Sequence, residues 1–149
     1  MKILFINGSP NKNGTTVHLA QTLLTRVDYD TIHLVDYKIY SYGQKFEDDE
    51  FNKVLEAMIE ADTLVIGSPV YWHNMSGAIR NLLDRLYGAI HKQEMSGKRL
   101  FFLFQGAAPD KWMIEAGEYS IRIFTQLYGL DYMGMATTMS QARELSMKL

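Results

Sequence analysis

The sequence of 149 residues contains no cysteine and no long apolar run. Without cysteine, the chain forms no disulfide, thiolate zinc site or iron–sulfur cluster, and it offers no thiol nucleophile. A chain of this kind suits a reducing compartment, so we expect a cytoplasmic protein. The first apolar run, Ile3–Ile6, is too short for a signal core. No stretch approaches the roughly 20 apolar residues that span a bilayer, so we expect no membrane partner.

The sequence also lacks an excess of positive charge. Lysine and arginine number 15 against 17 for aspartate and glutamate, which gives a net charge of −2. Nucleic-acid binding normally needs a cationic surface, so we expect no nucleic-acid partner. The four histidines show no metal-ligand spacing, and we expect no metal. The length and the 47% share of hydrophobic residues predict one globular domain over residues 1–149.

Short apolar segments alternate along the chain with segments whose apolar residues recur at helical spacing. The clearest amphipathic helix covers Phe51–Ile59, and Gln141–Lys148 could form a short terminal helix. The predicted strands are Ile3–Ile6, Thr31–Val35, Leu64–Ile66, Leu100–Phe104 and Tyr132–Ala136. Strands that are apolar throughout are typical of a parallel sheet with helices on both faces, so the pattern predicts an α/β domain.

Three of the predicted strands are followed by loops of unusual composition. They are Gly8–Thr16, Gly67–Ser76 and Gln105–Pro109. Ligands of open parallel sheets bind beyond the carboxyl ends of the strands, near the point where the strand order reverses. We therefore expect the three loops to border one crevice.

The first loop has the composition of a phosphate site. Its glycines, Gly8 and Gly14, allow close backbone approach, and the following helix directs free N–H groups into the loop. The polar side chains are those of Ser9, Asn11, Asn13, Thr15 and Thr16. A simpler interpretation is that Ser9 or Thr15 only caps the helix. The Walker motif does not fit because Thr15 replaces its lysine, and the dinucleotide fingerprint is absent. A monophosphate ester bound without a dedicated cation fits better.

The second loop places aromatic side chains among polar and turn-forming residues. Tyr71 and Trp72 lie between Pro69 and Gly77. Aromatic residues of a packed core seldom lie inside such a loop. A flat heterocycle is the natural ligand for them, with backbone N–H groups available to its carbonyl oxygens and ring nitrogens.

Taken together, these segments resemble the FMN-dependent NAD(P)H reductases of the flavodoxin-like superfamily. The matching residues are Gly8-Ser9-Pro10, Gly14-Thr15-Thr16, Ala61-Asp62, Gly67-Ser68-Pro69-Val70-Tyr71-Trp72, Ser76-Gly77 and Leu83-Asp84-Arg85. The resemblance implies a three-layer α/β/α sandwich with a five-stranded parallel sheet in the order 2-1-3-4-5. It also implies bound FMN, hydride transfer from NADH or NADPH, and a small-molecule electron acceptor such as a quinone or a flavin.

The resemblance also assigns cofactor contacts. Around the FMN phosphate it places Ser9, Asn11, Asn13, Gly14, Thr15 and Thr16. Along the isoalloxazine it places Pro69, Val70, Tyr71, Trp72, His73 and Asn74, with Gln105, Gly106 and Ala107 at the other edge. No side chain is expected to act as a catalytic acid or base, because the flavin carries the chemistry.

The chain departs from this family in two respects. Some relatives, the iron–sulfur flavoproteins, carry a cysteine cluster where this chain has Tyr40-Ser41-Tyr42-Gly43. Little chain follows the last predicted strand, so we expect an uncovered apolar sheet face there and a homodimer or higher homo-oligomer that covers it. Two alternatives to the reductase are a flavodoxin-like electron carrier without a nicotinamide site and a flavin-free binding protein.

Overall fold

Five parallel strands form the centre of the protein in the computed structural model, which describes residues 1–149. They are β1 (Ile3–Asn7), β2 (Asp30–His33), β3 (Thr63–Tyr71), β5 (Arg99–Gln105) and β6 (Asp131–Ala136), and a sixth, two-residue strand β4 (Asn74–Met75) pairs antiparallel with the end of β3. The sheet order is β2-β1-β3-β5-β6. Counting the parallel strands alone, this is the predicted order 2-1-3-4-5, which is confirmed.

Helices cover both faces of the sheet. They are α1 (Thr15–Leu23), α2 (Phe51–Glu60), α3 (Gly77–Leu86), α4 (Lys92–Met95), α5 (Lys111–Tyr128) and α6 (Met139–Ser146). Successive strand residues point to opposite faces, so Leu4 and Ile6 belong to the larger core beneath α2 to α5, whereas Ile3 and Phe5 pack beneath α1 and α6. None of the helices is long and apolar enough to cross a membrane.

The end of β3 differs from the prediction, which had it stop before Gly67. The strand continues through Pro69 to Tyr71. Strand β1 runs beside it only as far as Gly67, so Pro69 has a neighbouring strand on one side alone, where it is opposite Gln105. A proline is tolerated at such a position because its missing N–H leaves the sheet ladder largely intact.

The expected uncovered sheet face near the C-terminus is absent, and that prediction was wrong. Helix α6 lies over this face and buries Ala142 and Leu145 in the same core as Ala136 of β6. The helix begins soon after the strand because the hydroxyl of Thr138 accepts a hydrogen bond from the N–H of Gln141 at 3.3 Å. A helix of eight residues therefore suffices to cover the edge of the sheet.

Candidate functional site

The loop after β1 is shaped by a buried asparagine at the end of that strand. Asn7 Oδ1 accepts a hydrogen bond from the Ser9 N–H at 3.1 Å, and Asn7 Nδ2 donates to the Asn11 carbonyl at 3.2 Å. The Asn11 N–H in turn donates to Ser9 Oγ at 3.1 Å. Ser9 is buried and helps to form the loop itself. Asn7 is not among the residues predicted from the sequence, although a polar amide directly after a wholly apolar strand is an unusual feature.

The loop leads directly into the N-terminus of α1. No side chain caps this helix, so neither Ser9 nor Thr15 has the capping role considered above, and its first turn contains no acidic residue. The first main-chain bond is His18 N–H to the Gly14 carbonyl at 3.0 Å, and the N–H groups of Thr15, Thr16 and Val17 have no acceptor in the protein. Free N–H groups at the positive end of the helix dipole attract an anion.

The predicted phosphate-site side chains differ in their exposure. Asn11, Asn13 and Thr15 are exposed, whereas Thr16 is buried. The Thr16 hydroxyl accepts a hydrogen bond from Gln105 Nε2 at 3.2 Å. This bond joins the loop after β1 to the end of β5, so two of the three predicted loops meet.

A second set of hydrogen bonds joins the loop after β1 to the segment after β3. The Ser76 hydroxyl donates to the Gly8 carbonyl at 2.8 Å, and the Ser76 N–H donates to Ser68 Oγ at 2.8 Å. A Cβ on Gly8 would lie 2.2 Å from Cγ1 of Ile79, so only glycine allows the loop to lie this close to α3. Both serines lie in the predicted loop Gly67–Ser76, but the predicted cofactor contacts did not include Ser68 or Ser76.

A tight hairpin follows β3. Tyr71 pairs with Asn74 across the two residues Trp72 and His73, whose φ angles are 46° and 65°. Asn and Gly are the preferred residues in such a turn, because the left-handed conformation costs other residues about 1–2 kcal/mol each. The N–H groups of Trp72 and His73 have no acceptor in the protein.

The hairpin forms one wall of a cavity of about 270 Å³. The opposite wall is the loop after β5, and the lining residues are Val70, Trp72, His73, Gly106, Ala107, Ala108, Pro109 and Met113. The N–H groups of Ala107 and Ala108 also have no acceptor in the protein. Beside the cavity, the His73 ring stacks on Trp112, with ring centroids 5.4 Å apart and planes 11° from parallel.

The predicted flavin-ring residues do not all face this cavity. Tyr71 lines a separate cavity of about 170 Å³ with Gly8, Ser9 and Pro10, because successive residues of a strand face opposite sides. Asn74 is exposed, and its Oδ1 accepts a hydrogen bond from the Met75 N–H at 2.8 Å. The sequence analysis therefore treated as one surface a set of residues that the structure divides between two cavities.

Behind the site, an ion pair ties the segment before α2 to α3. Asp49 Oδ2 lies 2.6 Å from Nη1 of Arg85, and each side chain is only 16% exposed. Arg85 also donates to the Tyr40 carbonyl at 2.8 Å. The pKa of Asp49 is lowered to about 2, mainly because its carboxylate accepts hydrogen bonds from the Arg85 guanidinium. The carboxylate therefore stays charged at neutral pH.

A parallel sheet of this order, with long loops at the carboxyl ends of β1, β3 and β5, is typical of a flavodoxin-like α/β fold. The solved structure of the Trp repressor binding protein from Bacillus subtilis has the same fold: the TM-score is 0.81 at 21% identity, over 96% of this chain and 98% of that one. The sequence pattern of the NADPH-dependent FMN reductases matches residues 1–141, and the chain belongs to this family. The resemblance predicted from the sequence is confirmed.

Individual relatives match smaller parts of their own chains. An iron–sulfur flavoprotein of Archaeoglobus fulgidus is 41% identical over 98 residues, which are 57% of this chain and 48% of that protein. A putative NAD(P)H-dependent FMN-containing oxidoreductase of Bacillus subtilis, YwqN, is 28% identical over 121 residues, 71% of this chain and 67% of that protein. This chain therefore spans about half the length of the iron–sulfur flavoprotein.

Proposed function

We propose that the protein is an FMN-dependent NAD(P)H oxidoreductase, which transfers hydride from NADH or NADPH to bound FMN and then reduces a small-molecule acceptor such as a quinone or a flavin. The observation that carries the proposal is the uncapped N-terminus of α1, which the hydrogen bond between Thr16 and Gln105 joins to the loop that borders the 270 Å³ cavity. Membership of the NADPH-dependent FMN reductase family supports it.

The residues present fit the FMN phosphate. The free N–H groups of Thr15, Thr16 and Val17 and the exposed polar side chains of Asn11 and Asn13 provide a donor set without any carboxylate in the first helical turn. Gly14 supplies the extended backbone that begins the helix. The loop's lysine, Lys12, is paired with Asp36 at 2.6 Å, so the site depends on N–H and hydroxyl donors rather than on a cation.

The cavity beside the hairpin fits the flavin ring. Its walls are Val70, Trp72 and His73 on one side and Gly106 and Ala107 on the other, and they combine apolar surface with unpaired N–H donors. Such donors suit the carbonyl oxygens and ring nitrogens of an isoalloxazine. The other predicted contacts, Pro69, Tyr71, Asn74 and Gln105, adjoin these residues in sequence but do not line this cavity.

The protein's part in the reaction is to bind and orient FMN and to stabilise the negative charge of the reduced ring. FMN, when bound, supplies the hydride-accepting and electron-donating chemistry. The N–H groups of Trp72 and His73 stabilise negative charge at the ring edge, because they are fixed by the hairpin before the reaction begins. The chain needs no acid or base from its own side chains for this role.

The proposed homo-oligomer uses a groove between α3 and α5, where a second copy docks. The groove has a volume of about 520 Å³ and exposes Tyr87, Tyr119 and Leu127. Arg80 and Asp84 also lie in the groove, where they form an exposed ion pair with each other at 3.8 Å, and a two-fold-related copy can exchange it for pairs between the two copies. Light scattering should give a dimer for the natural chain and a monomer for Leu127→Lys, and a monomeric natural chain would exclude this interface.

Absorbance of the purified protein tests the proposed function. After loading with FMN, the protein should be yellow and should bleach within seconds when NADH or NADPH is added anaerobically. Bound FMN that does not bleach would indicate the electron carrier instead, and a colourless protein that takes up no FMN would exclude both.

A matched pair of charge variants tests the phosphate contact itself. Thr15→Glu places a carboxylate in the first turn of α1, which favours the helix dipole but repels a phosphate. Gln21→Glu adds the same charge near the other end of this helix. We expect Thr15→Glu to remain folded and to lose FMN affinity at least about tenfold, with little change for Gln21→Glu. Equal affinities would contradict the proposed site.

A further inference from the structure

The cavity is bordered by an aromatic pair, and one of its members, Trp112, lies outside the predicted cofactor contacts. Trp112 lies in the first turn of α5, and the residue is 55% exposed although its ring is stacked on His73. His73 and the next residue along α5, Met113, both line the cavity. The stack therefore bridges the hairpin and α5 at the cavity's border.

The hairpin residues at this border are poorly suited to a purely structural role. Trp72 and His73 adopt left-handed backbone conformations, and the Trp72 side chain is 94% exposed. A ring so exposed buries almost no apolar surface in the folded chain, so it contributes little to folding. Strained residues of this kind cluster at ligand sites, where the strain serves binding.

We propose that Trp112, held in place by His73, is a specificity-determining residue that selects flat aromatic electron acceptors. This inference rests on the proposed function, because it assigns the second substrate of the same site. An aromatic acceptor gains an offset-stacked or edge-on contact with an indole, whereas a small inorganic ion gains none. The stack with His73 fixes the indole before the acceptor arrives, which reduces the entropy lost on binding.

The selection should appear in the ratio of the KM values for an aromatic acceptor and an inorganic acceptor. In Trp112→Ala, we expect KM for 2-methyl-1,4-naphthoquinone to rise about tenfold, which corresponds to about 1.4 kcal/mol, with kcat nearly unchanged. KM for ferricyanide should stay the same. Trp112→Phe keeps a ring and should restore most of the affinity for the naphthoquinone.

Two further measurements do not depend on turnover. In the flavin-free protein, the ring-proton NMR signals of His73 should be shifted by the Trp112 ring current, and Trp112→Ala should remove that shift. In the FMN-loaded protein without nicotinamide, calorimetry should show about tenfold weaker binding of the naphthoquinone to Trp112→Ala. The control is Lys111→Ala, which changes the preceding exposed residue of α5.

The outcomes separate this inference from the proposed function. If the natural protein binds no FMN, the proposed function fails. A second outcome is that the natural protein binds FMN and oxidises NADH while Trp112→Ala has the same KM values for the naphthoquinone and ferricyanide as the natural protein. That result would refute only the role of Trp112. Equal losses in Lys111→Ala would also refute it. Should Trp112→Ala not fold, Trp112→Leu removes the ring but keeps a large apolar side chain, and it carries the same expectation.

Discussion

The ion pair between Asp49 and Arg85 yields a quantitative prediction for stability. Both carboxylate oxygens contact the guanidinium, at 2.6 and 3.0 Å, and they also accept hydrogen bonds from the N–H groups of Phe51 and Tyr40 at 2.9 and 3.2 Å. These contacts lower the pKa of Asp49 from 3.8 to about 2. A shift of this size corresponds to about 2 kcal/mol of unfolding free energy at neutral pH.

The variant Asp49→Asn keeps the shape of the side chain and removes its charge. At pH 7 we expect it to lower the unfolding free energy by about 2 kcal/mol and the midpoint temperature by about 4–8 °C. Because the folded-state pKa lies below the unfolded one, this contribution is present above pH 4 and is lost as the pH falls toward 2. At pH 2 about half of the folded protein is already protonated at Asp49, so the two proteins should differ there by well under 1 kcal/mol.

Denaturant titrations at several pH values, followed by circular dichroism, measure this difference. Asp48→Asn is the matched control, because the neighbouring carboxylate is 53% exposed and pairs with the surface residue Lys38. It should change the stability much less than Asp49→Asn does. Equal unfolding free energies of Asp49→Asn and the natural protein at pH 7 would refute the reasoning. A difference at pH 2 as large as that at pH 7 would also refute it.

Two further predictions concern packing and strain. Gly117→Ala should lower the unfolding free energy by about 1–3 kcal/mol, because a Cβ there would lie 2.2 Å from Cε1 of Phe104; an unchanged denaturation midpoint would contradict this packing. The double variant Trp72→Asn, His73→Gly should raise the unfolding free energy by about 2 kcal/mol, because both turn positions are left-handed. Its melting temperature should rise while its FMN affinity falls, and a lower melting temperature would exclude strain in this turn.

The sheet could be predicted from the sequence because its signals are local. Apolar strands such as Leu100–Phe104 are buried on both faces, and their order follows from the family resemblance. The end of β3 could not be predicted, because Pro69 ends strands in most settings and is tolerated here only since β1 stops beside Gly67. The cover provided by α6 depends on Thr138, one capping residue in a short segment.

The candidate site was predictable by segment but not by side chain. The loop after β1 stood out through its glycines and polar residues, whereas the side to which Tyr71 points depends on the strand continuing past Pro69. Contacts between residues far apart in the sequence could not be predicted, because such contacts produce no local sequence pattern. Asp49 and Arg85 are separated by 36 residues, and the stack of His73 on Trp112 forms only when the hairpin meets α5.

The central claim is that the N-terminus of α1 binds the phosphate of FMN. The most direct test compares the dissociation constants of FMN and riboflavin, which differ only by that phosphate, through quenching of flavin fluorescence. Two charge-assisted hydrogen bonds of about 1.5 kcal/mol each predict that FMN binds at least about 100-fold more tightly. Equal affinities for the two flavins would contradict the claim.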